Sequence, residues 1–162
     1  MKRATCLALG FITVAAGSVS AQAPMNLDDL VRRGDLYDAY LHPDTFQPYD
    51  GAVEATWALT GTIRERGTLV AGKWDGLHEW YHLNGQLSTR ETYLDGRLHG
   101  LSEAYFKSGQ LSVVENYDNG HLDGPYEAYW VRGTLAEQGR WSAGRQCGEW
   151  LSFGRTLMHP PC

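Results

Sequence analysis

From residue 77 the chain alternates. Leu77, Glu79, Tyr81 and Leu83 interleave with His78, Trp80 and His82; beyond Asn84-Gly85, Leu87, Thr89, Glu91 and Tyr93 interleave with Ser88, Arg90 and Thr92. A period of two on both sides of a turn dipeptide predicts two antiparallel strands. Asn-Gly suits the turn because both residues tolerate positive φ. Ser108-Gly109 and Arg132-Gly133 occupy the same place in the next two stretches. Asp95–Gly100 reads as a link to the next hairpin, its two glycines supplying backbone angles that other residues avoid.

The alternation is itself periodic. Gly72, Gly96, Gly120 and Gly144 stand 24 apart, as do Gly76, Gly100, Gly124 and Gly148, and Gly61, Gly85, Gly109 and Gly133. Trp57, Tyr81, Tyr105, Tyr129 and Phe153 form an aromatic column; Ile63, Leu87, Leu111 and Leu135 an aliphatic one; Tyr93, Tyr117 and Trp141 a further aromatic one. A lone hairpin is marginal in water. Stacked hairpins continue each other's columns as cross-strand pairs, worth about 0.2–1 kcal/mol each. The prediction is an all-β, elongated single-sheet array of antiparallel hairpins whose stability is a sum of neighbour terms.

The pattern of Gly72, Gly76, Tyr81, Gly85 and Leu87 resembles the MORN repeat in its bacterial variant form. Gly96, Gly100, Tyr105, Gly109 and Leu111 repeat it, as do Gly120, Gly124, Tyr129, Gly133 and Leu135. Leu30–Tyr37 and Pro48–Gly51 are similar to the lead-in that such proteins carry before the first repeat. The first unit departs most, with Ala52 for Gly and Trp57 for Tyr, and the last is truncated. The resemblance implies a twisted sheet of hairpins acting as a scaffold for proteins or membranes. Bacterial members often carry an antitoxin label, which export of this chain would set against a cytoplasmic toxin.

Export is expected from the first residues. Lys2 and Arg3 precede an apolar run from Thr5 to Ala16, and small residues lead to Ala21. This is the signature of a cleavable signal peptide, too short for the ~20 apolar residues of a spanning helix. The expected organisation is a signal peptide over 1–21, a lead-in over 22–47, repeats over 48–154 and a tail over 155–162, in a periplasmic or secreted protein. Removing Lys2 and Arg3 from the 14 Lys+Arg leaves 12 against 19 Asp+Glu, a net of −7. That charge repels phosphate backbones and anionic headgroups, so neither nucleic acid nor an anionic membrane is an expected partner. Cys147 and Cys162 remain for an oxidising compartment and form a candidate disulfide, drawing the tail over the last open sheet edge.

Candidate chemistry reduces to fold chemistry. His78-Glu79-Trp80-Tyr81-His82 spells the H-E-x-x-H zinc motif, which needs a helix to bring both histidines to one ion; on a strand they stand about 13 Å apart. His42, His99, His121 and His159 share no repeat column. Glu79, Glu103 and Glu127 form a ladder, with Glu91 and Glu115 alongside. A periodic acid is a fold device, accepting hydrogen bonds from the backbone or a Tyr hydroxyl. No G-x-S-x-G, P-loop or G-x-G-x-x-G is present. The expectation is no enzyme, no cofactor, no metal. Trp80, Phe106 and Trp130 lie opposite the main aromatic column, Trp80 offset in phase by two residues from the other two, and are the candidate interaction surface. The expected function is binding another exported protein, with glycan or membrane-surface binding as the alternative.

Overall fold

In the computed structural model, residues 22–33 and 39–162 are described; the expected signal peptide over 1–21 and residues 34–38 of the expected lead-in lie outside them. Thirteen strands form one open, mostly antiparallel sheet. Along it run β1 (Met25–Asn26), β4 (Gly51–Thr56), β5 (Ile63–Val70), β7 (Gly76–Tyr81), β8 (Leu87–Leu94), β9 (Arg97–Tyr105), β10 (Leu111–Asp118), β12 (Gly124–Tyr129), β13 (Leu135–Ser142), β14 (Arg145–Ser152) and β15 (Arg155–Met158). Two-residue strands β6 (Lys73–Trp74) and β11 (His121–Leu122) flank β5 and β10. Ten interstrand spacings make the sheet about 48 Å wide. In the lead-in, β2 (Val31–Arg33) pairs with β3 (Ala39–Leu41), and a single 3-10 turn spans Leu27–Asp29.

The meander uses two kinds of turn, and as far as β14 they sort to opposite edges. At Ala71-Gly72, Asp95-Gly96, Asn119-Gly120 and Ala143-Gly144 both residues have positive φ, as in a tight two-residue hairpin turn. Asp95–Gly100 is therefore no mere link: Leu94 pairs with Arg97 and Tyr93 with Leu98 across the turn. At Asn84-Gly85, Ser108-Gly109 and Arg132-Gly133 only the glycine is left-handed. There the Gly85 N–H donates to His82 O, and the His82 N–H to Gln86 O. This longer turn leaves an irregularity behind it: Tyr81 pairs with Leu87, yet Trp80 pairs with Thr89. The extra residue, Ser88, shifts strand parity. Leu87 thus sits across from Tyr81, while Thr89, Glu91 and Tyr93 turn to the other face, a separation that unbroken alternation had not allowed.

The core is concentrated at the two ends. Leu27, Leu30, Val53, Ala55 and Leu69 form a buried cluster, with Met25, Tyr40, Tyr49 and Trp74 packed against it. At the far end Ala136, Cys147 and Trp150 are buried. Between Glu79 and Ala136 no described apolar side chain is fully buried. The middle repeats are a single layer held by neighbours in register, as a one-dimensional array requires.

The C-terminus also differs from expectation. Phe153-Gly154 forms another turn with both φ positive, and β15 pairs with β14. The sheet thus runs on into the segment read as tail. Cys147 and Cys162 are bonded, their Cα atoms 4.9 Å apart. β15 and the bridged tail together lie along the outer edge of β14, as the disulfide reading expected. Residues 159–162 continue along β14, with the Gly148 N–H donating to Pro160 O and the His159 N–H to Gly148 O.

Candidate interaction surface

One face carries a row of alternating charge across five successive strands. Glu54 pairs with Arg66, Arg66 with Glu79, Glu79 with Arg90, and Arg90 with Glu103. Glu79 is buried and receives the Arg66 Nε–H at 2.8 Å, Arg90 Nε and Nη2 at 3.1 Å each, and the Tyr81 hydroxyl at 2.9 Å. Burial pushes its pKa up, but these donors outweigh burial and hold the carboxyl below the ordinary range. The motif repeats as Tyr129 donating to Glu127 and, on the other face, Tyr93 to Glu91 at 3.0 Å and Tyr117 to Glu115 at 2.9 Å. The periodic acids thus accept Tyr hydroxyls. Alternation alone hides the Arg partners, because they come from neighbouring strands 13 and 11 residues away.

Burial, reinforced by the neighbouring glutamates, raises the pKa of Tyr93 and pushes Tyr117 up to about 12. A folded-state pKa above the unfolded value of about 10 means that the neutral phenol stabilises the fold fully below pH ~10, and that this contribution drains away as pH rises through the folded value. The urea midpoint is expected to fall between pH ~10 and ~12, in step with delayed tyrosinate absorbance. Glu115→Gln removes the negative charge while keeping an acceptor oxygen, and should bring Tyr117 ionisation to lower pH. An alkaline melt with no loss across that window would contradict the ladder.

The histidines of the H-E-x-x-H segment go to separate places. His78 is buried, stacked on Trp74 with ring centroids 3.9 Å apart, its Nε2 3.3 Å from Glu65. His82 stands at the turn, its Nε2 3.0 Å from Tyr105 O. Both are engaged in packing the strand and turn.

The two long edges of the sheet differ chemically. The edge of tight turns carries Asp50, Asp75, Asp95, Asp118 and Asp123. Three of these fasten turns together: Ala71 N–H donates to Asp50, Asp95 N–H to Asp75 and Ala143 N–H to Asp123. The opposite edge, residues 57–62, 81–87, 105–111, 129–135 and 152–155, has no acid and three cations, Lys107, Arg132 and Arg155. It exposes Leu59, Leu83, Trp130, Val131 and Phe153, with Trp130 and Phe153 rings 5.7 Å apart. Hairpin tips are ordinarily polar, so the apolar tips at Trp130, Val131 and Phe153 stand out as a candidate surface.

Of the three aromatic residues singled out by phase, Trp130 belongs to this apolar edge. Phe106 is half-buried at the neighbouring turn. Trp80 lies four interstrand spacings from the strand of Trp130, about 19 Å away, and lines a separate groove with Trp57 and Leu83. They are not one patch. Leu59, Leu83, Val131 and Phe153 were missed, although Leu59, Leu83 and Val131 share one 24-residue column and could have been found by asking which turn columns are apolar.

Residues 74–95 and 98–119 each match the family model described as the MORN repeat variant. These two stretches, together 44 of the 162 residues, are similar to the MORN repeat variant. The matched stretches are two consecutive periods of the column pattern, each beginning beside a tight turn. No curated protein matches the chain. MORN repeats are commonly protein- or membrane-interaction modules and typically non-catalytic. In this chain the repeated spacing of glycines and aromatics builds the sheet.

Proposed function

We propose that this chain is an exported, non-catalytic MORN-repeat scaffold that holds another exported protein against its apolar turn edge. The observation that carries the reading is the acid-free edge with exposed Trp130, Val131 and Phe153. Aromatic side chains at a partly desolvated patch are the usual anchors of protein interfaces, and the flanking Arg132 and Arg155 suit a partner with an acidic rim. Sequence supports the location: the charged start, apolar run and small residues before Gln22 fit export and cleavage. The partner in this proposal is a protein. An anionic bilayer would meet a mature chain of net −7 with only three cations on the edge.

Two measurements test it. Protein recovered from the cell envelope should begin at Gln22. Cross-linking of the purified mature chain in envelope extract should give one saturable partner band, lost in the Val131→Ser/Phe153→Ser double variant. Both positions are exposed, so the variant should keep its far-ultraviolet circular dichroism. Equal capture by wild type and variant, or a cytoplasmic uncleaved chain, overturns the reading.

A further inference from the structure

The groove around Trp80 lies about 19 Å along the sheet from the Trp130 and Phe153 tips, although its wall residues Leu83 and Lys107 belong to the same turn edge. It is open, with a volume of about 540 Å³, and its walls include Trp57, Trp80, Leu83, Ser88, Thr89 and Lys107. Three features separate it from ordinary repeat packing. The first is a departure from the repeat. Trp80 occupies a column where the next two units have Ala104 and Ala128, and Lys107 a column that holds Leu59, Leu83 and Val131 before the terminal Arg155. The fold requires neither, yet the turn brings both to one groove.

The second is rigidity. Trp57 Nε1–H donates to Tyr81 O at 3.3 Å, and Trp80 meets the buried His78 ring edge-on at 5.4 Å. Both indoles are held, while Trp80 keeps 37% of its surface exposed. Next to it in register stand Thr89, Ala104 and Val113, all much smaller than an indole.

The third is chemistry. Among the described residues no hydrogen bond or ion pair engages the side chains of Ser88, Thr89 or Lys107. Lys107 is the only charged wall residue. Fixed ring faces with unspent hydroxyl groups favour a ligand that is flat and apolar on one side and rich in hydroxyls at its rim. A lone ammonium without a competing acid favours one carrying a carboxylate.

From these we infer that the groove binds a carboxylated pyranose, the sugar face stacked on Trp80 and the carboxylate on Lys107. This gives the chain a second binding function, separate from its protein partner. The indole N–H signals of the mature protein report it directly in nuclear magnetic resonance titrations. The probes are the disaccharide N-acetylglucosaminyl-N-acetylmuramic acid, which carries a carboxylate, and neutral di-N-acetylchitobiose.

The acidic disaccharide should shift the Trp80 and Trp57 signals saturably, and the neutral one should bind about tenfold more weakly, the loss of one charge-assisted hydrogen bond. Trp80→Ala, which installs the residue of the neighbouring units, should fold and bind neither. Lys107→Gln should remove the preference and keep the weak binding. Val131→Ser/Phe153→Ser should bind the sugar as wild type does, which separates this site from the proposed protein interface. No saturable shift with either sugar, equal affinity of wild type for both, or undiminished binding by Trp80→Ala overturns the inference.

Discussion

Replacing Trp150 with Ala is expected to cost about 3–5 kcal/mol, the range for emptying a buried aromatic site. Its ring is 2% exposed, stacks on Tyr126 at 5.3 Å and meets Trp141 edge-on at 5.5 Å. It fits only because Gly139 lies beneath it: a Cβ there would stand 2.0 Å from the ring. Gly139 does not have positive φ, so its need is for space. Gly139→Ala forces the indole from its slot and should cost about 1–3 kcal/mol by overpacking.

The two costs should not add. With Trp150 already Ala, the Gly139→Ala penalty should nearly vanish, because the methyl then enters vacated space. Urea midpoints of the two single variants and the double variant check this. Additive penalties would mean that the ring and the glycine are not coupled. The same logic appears at the other end of the array, where Trp74 lies 2.9 Å from a Cβ placed on Gly67. Gly67, Glu91, Glu115 and Gly139 form one repeat column. The middle units keep a Tyr-bonded Glu there; the ends replace it with Gly to admit a tryptophan.

Reduction of the Cys147–Cys162 bond should have the next largest effect. A loop closed over a sequence separation of 15 stabilises by about 3 kcal/mol in the chain-entropy model. The loss should be local, since the bridge holds residues 159–162 beside β14. Amide exchange protection should fall at Gly148 and His159 and along β15, whose four residues are exposed, while the middle repeats stay protected. Cys147→Ser/Cys162→Ser should reproduce the reduced behaviour. Unchanged exchange at Gly148 in the double variant would show that the tail holds without the bond.

How much could be read beforehand depends on the range of the interaction. Strand, turn and period are local, and the glycines and alternation set them unaided: Gly85, Gly109 and Gly133 mark turns, and Tyr81, Tyr105 and Tyr129 mark a ladder. The pairing of the periodic acids with Tyr hydroxyls was legible too, since Glu and Tyr stand two apart on one strand. The site was harder. Phase alone grouped Trp80, Phe106 and Trp130, although the turn edge and the groove divide them. Phase reports which way a side chain points, and not how far apart two strands lie.

By itself, the sequence determined an all-β meander of 24-residue hairpins, because backbone periodicity and left-handed glycines act within a few residues. Only the tertiary structure decided the rest. A one-residue bulge at Ser88 exchanged faces, packing moved the core to the ends, and register set Arg66 and Arg90 on Glu79. The meander also gathered apolar tips on one edge and acids on the other. Each of these depends on which strand lies beside which, and small changes in pairing move whole rows of side chains between faces.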